Sequence, residues 1–290
     1  MQLDRCSIPA RSRRQVMEWG LVLASQGIEA ILHQSEEGWE LIVPARDYER
    51  AQVNLRKYQI ENRNWRWQQP LPVAGVVFHW GSAAWAAAIA AIYYWSTARF
   101  PAAKEAGILD SVKVAAGQWW RLFTAVSLHE NMPHLMANMT TGFILLGLAM
   151  ARYGAGVGLL AAFLAGVAGN VAGLVLYAQP HQGLGASGMV MGALGLISAQ
   201  SFAFWRTYRS GSKVFIRALA AGTLILVLIG FSPESDVVAH VGGFVSGALF
   251  GCVLGHARAE TLQRGAASLA GIATLAALLV ATWHLALRAP

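Results

Sequence analysis

Residues 237–255 read VVAHVGGFVSGALFGCVLG. These nineteen positions contain no Asp, Glu, Lys or Arg, and their number is close to the ~20 residues that cross the hydrocarbon core of a bilayer. Gly243, Gly247 and Gly251 recur every four positions and share one helix face. A stripe of small residues lets a second helix approach backbone to backbone. His240 stands at the start of the same stretch. An ionisable side chain at membrane depth is costly and by default marks function. The stretch therefore reads as a membrane span packed closely on a neighbour, with a reactive group at one end.

Six further stretches have similar length and apolarity, at 77–97, 133–151, 156–177, 187–204, 214–231 and 266–286. The fourth, 187–204, would be about 27 Å long at 1.5 Å per residue, shorter than the ~30 Å core, so one end should stop within the membrane plane. Only 13% of the 290 residues are charged and 56% are hydrophobic. A soluble domain carries about 25% charged residues, so an ordinary soluble protein is excluded, as is intrinsic disorder. The two cysteines, Cys6 and Cys252, suggest neither a disulfide framework nor a metal site. The expected fold is an all-α polytopic membrane protein with a small N-terminal α+β domain.

The charges divide the chain. Residues 1–75 hold ten Lys/Arg and nine Asp/Glu; the remaining 215 hold twelve and six. We expect a water-soluble head at 1–62, a linker at 63–76 and a transmembrane domain at 77–290. The head reads as helix (12–27), strand (28–33), strand (39–43) and helix (47–59), with Glu36-Glu37-Gly38 as the turn and Asp47 as an N-cap. About 60 residues is marginal for an independent core, which raises self-association through the head. Trp65, Arg66 and Trp67 suit the headgroup level of a bilayer. No apolar run of 7–15 residues follows the early arginines, so the start does not read as a secretory leader.

Short loops set the orientation. With the head in the cytoplasm, the inner loops hold Arg152, then Arg206, Arg209, Lys213 and Arg217, then Arg258 and Arg264, whereas 178–186 and 232–236 hold no Lys or Arg. The expected location is the inner (cytoplasmic) membrane, with the C-terminus outside. The long outer connection 98–132, with Trp119 and Trp120, reads as a structured hairpin in the outer interface.

This orientation brings three polar clusters to one depth. They are His129 to Asn138, Gly183 to Gly188, and Ala239 to Gly243, at the outer ends of the second, fourth and sixth spans. His134 and Asn138, four apart, share a helix face. A serine, a histidine and a further histidine–asparagine pair suit nucleophilic acyl transfer. A hydroxyl needs a base, and His240 is the candidate for Ser187. A tetrahedral oxyanion needs donors: the Ser187 N–H at a positive helix end, His134 and Asn138. Gly188 and Gly192 form a second small-residue ridge; packing it on the ridge of Gly243, Gly247 and Gly251 would bring hydroxyl and imidazole together.

These residues resemble the rhomboid intramembrane serine proteases. The resemblance rests on Gly185-Ala-Ser187-Gly188, on Ala239-His240 followed by Gly243 and Gly247, on His134 with Asn138, and on Trp120-Arg121, over roughly residues 78–255. It implies a six-helix fold, here with a seventh helix added. It implies a Ser187–His240 dyad that cleaves transmembrane segments of other proteins, without metal or cofactor. His134 and Asn138 would assist the oxyanion, His129 would support them, and Trp120 and Arg121 would anchor the outer loop. The implied partners are transmembrane substrates and the bilayer; no nucleic acid is expected. Met191 departs from the aromatic residue that several members stack on the catalytic histidine, though other branches use Met, and a thioether can contact an imidazole.

Blander readings stand beside these. Asn138, Asn170, Gly166 and Gly173 also suit helix packing, and His79, His181, His256 and His284 suit interfaces. His33 reads as incidental to the head. Asp236, four before His240, is a candidate third member of a triad, although the resembling family works as a dyad. A catalytically inactive rhomboid-like protein that binds membrane clients is the alternative function. It usually lacks the serine or the histidine, and both are present. A proton-relay transporter is another, but no inverted repeat is evident.

Overall fold

A computed structural model of the chain describes residues 4–35, 38–62, 77–205, 211–231, 235–257 and 259–289. They belong to two compact units, Met1–Val73 and Ala74–Pro290. The linker expected at 63–76, and Glu36 and Glu37 of the head's turn, lie outside the described residues.

The first unit runs β1 (Arg5–Ala10), α1 (Arg13–Ser25), β2 (Ile31–Ser35), β3 (Gly38–Pro44) and α2 (Tyr48–Asn62). Ser12 caps α1 by accepting from Gln15 N. The antiparallel sheet has the order β1-β3-β2, with Ile8 opposite Leu41 and Leu32 opposite Leu41. Strand alternation puts Ile8, Leu41 and Val43 into one core with Val16, Trp19 and Leu23 of α1 and Ala51 and Leu55 of α2. On the other face the Ser7 hydroxyl and the His33 ring both bond Glu40, and these bonds, Ser7 foremost, hold its carboxyl below the ordinary range. The sequence pattern had no place for β1. Its alternation of Cys6, Ile8 and Ala10 with Arg5, Ser7 and Pro9 is masked by charge and by a proline, which an edge strand tolerates.

The second unit is helical. It comprises α3 (Gly81–Tyr94), continued by a π-turn at Trp95–Arg99, then α4 (Ala102–Gly107), β4 (Leu109–Asp110), α5 (Ser111–Ala115) and α6 (Arg121–Thr124). After these come α7 (Met132–Tyr153), α8 (Ala155–Leu176), β5 (Gln182–Gly183), α9 (Ser187–Ala199), α10 (Gly211–Gly230), α11 (Val237–Leu254), α12 (Ala259–Leu262) and α13 (Gly265–Arg288). Five of these helices, α7, α8, α10, α11 and α13, are long and apolar enough to cross a membrane. The protein is a multi-pass membrane protein. Helix α9, with 13 residues, is about 20 Å long and stops short of a full crossing, as the length of the stretch 187–204 suggested. A 3-10 segment, Gln200–Phe204, extends it.

Helix α9 is the axis of this unit, and α11, α8, α7 and α10 all pack on it. The closest approach is made by glycines. A Cβ on Gly243 would lie 2.2 Å from Gly188 O, one on Gly247 2.0 Å from Gly192 O, and one on Gly195 2.1 Å from Phe244 O. From α8, a Cβ on Gly166 would lie 2.8 Å from Met189 N. No side chain fits between these backbones. Attraction between helices in lipid depends on such packing, because burial from water contributes nothing there.

The outer connection is not a self-contained hairpin. Its strand β4 pairs with β5 from the loop before α9, Leu109 opposite Gly183 and Asp110 opposite Gln182. Asp110 caps α5 through Val112 N and Lys113 N and accepts from Gln182 Nε2 at 3.0 Å. Ser111 N donates to His181 O, and His181 N donates to Ser111 Oγ, both at 3.0 Å. Arg121 is buried and fastens the connection from within. Its Nη1 donates to Glu105 O at 2.9 Å and Ile108 O at 2.7 Å, and its Nε to Gln118 Oε1. Asn170 of α8 donates to Leu122 O at 2.7 Å. Irregular backbone at membrane depth persists only where its polar groups are satisfied internally, and these bonds do so. Helix α13 closes the outside: Trp283 packs on Gly107, meets Trp95 edge to face at 5.4 Å and donates to Ser127 Oγ.

Three outcomes follow. Gly247→Val forces the α9 and α11 backbones apart and should lower unfolding stability in detergent by about 1–3 kcal/mol or more. Gly265→Ala, where a Cβ meets nothing within 4 Å, should stay within about 0.5 kcal/mol; equal melting of both variants would contradict the packing. Arg121→Lys keeps the charge but loses the planar fork on two carbonyls. We expect a loss of about 1–3 kcal/mol, with faster amide exchange confined to 107–110 and 182–185. The Asp110 carboxyl is held below its ordinary range, first by the Gln182 amide. Its stabilisation is full above the unfolded value of about 3.9 and is lost as pH falls through the lower folded value. Asp110→Asn should flatten the acid limb of the melting curve; an unchanged limb would exclude that source.

Candidate active site

The loop before α9 decides where Ser187 sits. Gly185 has φ +132°, a region open to glycine, and a Cβ there would lie 2.8 Å from the His134 ring. Its N–H donates to Ala125 O at 3.0 Å, which ties the turn to the outer connection. Ser187 then opens the helix, half-buried. Its N–H belongs to the first turn, where helical amides lack intrahelical partners and the dipole is positive.

Helix α7 supplies the second group. Asn131 caps it by accepting from His134 N at 2.9 Å, and Pro133 occupies the first turn. The His134 ring stands beside Gly185, and the Ser187 Oγ lies 3.7 Å from the same Cβ position. One turn later Asn138, buried, donates from Nδ2 to His134 O at 2.9 Å, which leaves its second amide hydrogen free of that bond. His129 packs edge to face on His134, with ring centroids 5.3 Å apart. Burial pushes the His129 imidazole down to about 3, so it is neutral near pH 7.

Helix α11 supplies the third. Asp236 caps it through Ala239 N at 2.9 Å and also accepts from the Tyr177 hydroxyl at 2.8 Å. His240, 5% exposed, directs Nδ1 at the carbonyl of Gly230, 2.6 Å away. A carbonyl oxygen only accepts, so the proton of a neutral ring sits on Nδ1 and the lone pair on Nε2. The residues beside the two reactive groups touch: a Cβ on Gly188 would lie 3.5 Å from Ala239 O. Among the described residues Ser187 Oγ makes no hydrogen bond, to His240 or elsewhere; such bonds are often long before substrate arrives. Met191 Sδ and His240 Nδ1 lie 3.6 and 3.5 Å from the Cβ position of Gly230.

The structure thus brings the three clusters to the N-terminal ends of α7, α9 and α11. Gly185, Gly188, Gly243 and Gly247 make the close approaches, while Arg121 anchors the outer connection and Trp120 stands beside Trp119 within it. Asp236 does not orient the His240 ring; its carboxylate serves the helix start and Tyr177. The ring's partner, Gly230, escaped the sequence reading because a main-chain carbonyl leaves no residue-type signal. Tyr177 could have been marked as a polar aromatic just past a span. Among the described residues no group of three or more His, Cys, Asp and Glu is placed to hold a metal ion.

Residues 116–257 match the family model of the Rhomboid domain. The chain is 32% identical over 155 residues to Rhomboid protease GluP of Bacillus subtilis, covering 51% of this chain and 29% of that protein. It is 36% identical over 151 residues to RHOMBOID-like protein 4 of Arabidopsis thaliana, covering 51% and 37%. It is 29% identical over 148 residues to the putative rhomboid protease YdcA of Bacillus subtilis, covering 48% and 70%. The matches span half or less of the length of the first two of these relatives. The matched segment contains α6 to α11 together with His134, Asn138, Ser187 and His240, and over it the chain carries a Rhomboid domain.

Proposed function

We propose that the protein is an intramembrane serine endopeptidase that cleaves transmembrane segments of other membrane proteins. The observation that carries this reading is the convergence at Ser187. The serine opens a helix beside the His134 ring, and His240 on the adjoining helix has its Nδ1 engaged and its Nε2 free as a base. In the reaction, Nε2 takes the Ser187 proton as Oγ attacks the scissile carbonyl carbon. The oxyanion is met by the Ser187 N–H, the His134 ring and the second Asn138 amide hydrogen. Collapse breaks the C–N bond, and the imidazolium returns its proton to the leaving amine. Water then hydrolyses the acyl-enzyme with His240 again as base.

The Lys/Arg bias of the loops supports a site at the outer ends of the spans and an N-terminal unit in the cytoplasm. A helical substrate hides its carbonyls in hydrogen bonds. The preferred substrate is therefore a single-span protein whose helix unwinds easily near its outer end, with small residues at the cut.

A tagged single-span substrate in liposomes tests this. Wild-type protein should release one fragment, and Ser187→Ala and His240→Ala should each lose activity by on the order of 10⁴-fold or more while melting as the wild type does. Asn138→Ala should lose about 10²-fold, the size of one oxyanion donor. If wild type cuts nothing across several substrates and a fluorophosphonate never labels Ser187, client binding without cleavage becomes the better reading.

A further inference from the structure

Helix α10 packs along α9 and the 3-10 segment below it and shares no extensive contact with α7. Ile216, Leu224, Ile225, Val227, Leu228 and Ile229 face outward. Its last residue, Gly230, reaches the histidine. The His240 Nδ1 bond to Gly230 O is 2.6 Å, and the carboxylate nearest in sequence, Asp236, is engaged by Ala239 N and Tyr177.

We propose that the Gly230 carbonyl is the positioning group for His240, taking the place that a carboxylate fills in a three-residue catalytic set, so that the base is aligned only while the outer end of α10 lies against α9 and α11. This rests on the dyad reading. A dyad histidine with no acceptor for Nδ1 can turn its ring or carry the proton on Nε2, where it is useless as a base. Gly230 O removes both freedoms. Glycine suits the position because any side chain enters the space shared by the His240 ring, Met191 Sδ and Leu226. A Cβ would lie 3.1 Å from Leu226 Cδ1 and 3.5 Å from Nδ1. Met191 Sδ lies 3.6 Å from the same Cβ position, so the serine helix also borders this space. Displacing the end of α10 would release the ring without moving α9 or α11. The state of the base is thereby coupled to the position of one peripheral helix, and a substrate that displaces α10 must let it return before attack proceeds.

The test reads the ring directly. In the full chain labelled with nitrogen-15 at histidine, the His240 signals are assigned by their loss in His240→Ala. Wild type should show Nδ1 protonated and Nε2 bare. Gly230→Leu should shift the signals toward the other tautomer and lower kcat at least tenfold, with KM changing less than threefold. Leu228→Ala, on the outward face of the same helix, should keep the wild-type tautomer and stay within threefold in kcat. An Nε2-protonated ring in a wild-type enzyme that cleaves its substrate overturns the assignment and leaves the dyad standing, and this outcome needs no variant at Gly230. An unchanged spectrum and kcat in Gly230→Leu also overturns it. If wild type and Ser187→Ala are equally inert toward substrate and fluorophosphonate, the dyad reading falls and this assignment falls with it.

Discussion

The transmembrane unit depends on one contact, the backbone of α9 lying directly on the backbone of α11. A Cβ on Gly195 of α9, or on Gly243, Gly247 or Gly251 of α11, would run into the facing backbone. Lipid offers no hydrophobic reward for bringing helices together, so dispersion between closely packed atoms and polar contacts must hold them. The same contact has a chemical consequence. Ser187 and His240 each stand beside the first close contact of the ridge, so their separation is set by glycine-to-backbone distances, which are stiff, and not by flexible side chains.

A short, deep helix start leaves its loop exposed to the same demand that excludes open backbone from lipid. The outer connection answers it. Strand β4 lends hydrogen bonds to β5, Ala125 O accepts from Gly185, and Arg121 holds the carbonyls of Glu105 and Ile108. Arg121 touches neither Ser187 nor His240, yet it lies at one end of a bonded path leading to Gly185. Arginine suits this role because its fork reaches two carbonyls at once and stays charged when buried. Trp283 of α13 presses on Gly107 and bonds Ser127, so the added helix supports the connection on its lipid side.

What was legible in the sequence was whatever a residue type can announce. Apolar length marked the spans, the four-residue glycine spacing marked the ridge, and costly polar groups marked Ser187, His240, His134 and Asn138. What was not legible involves backbone or distant pairing. Strand β1 was hidden because Arg5, Ser7 and Pro9 disguise a half-buried alternation. The β4–β5 ribbon joins residues more than seventy positions apart with two residues on each side, too short for any periodicity. Gly230 reads as one more glycine at a span end. Asp236, four residues before a histidine, invited a triad; in the fold that spacing suits a cap, because an N-cap side chain turns back to the first-turn amides.

The division of labour between Asp236 and Gly230 follows from solvation. An ionised carboxylate needs donors around it, and the start of α11, with Ala239 N and the Tyr177 hydroxyl, supplies them. Beneath the helix start, where His240 is 5% exposed, a lone carboxylate would be far harder to keep ionised. A main-chain carbonyl is already neutral, is directional and has a lone pair to spare. It orients an imidazole at this depth without burying a second charge. The anchoring is weaker than a carboxylate's, because a neutral acceptor stabilises the imidazolium less. On the proposed mechanism, the oxyanion donors on α7 and α9 would then carry more of the transition-state charge.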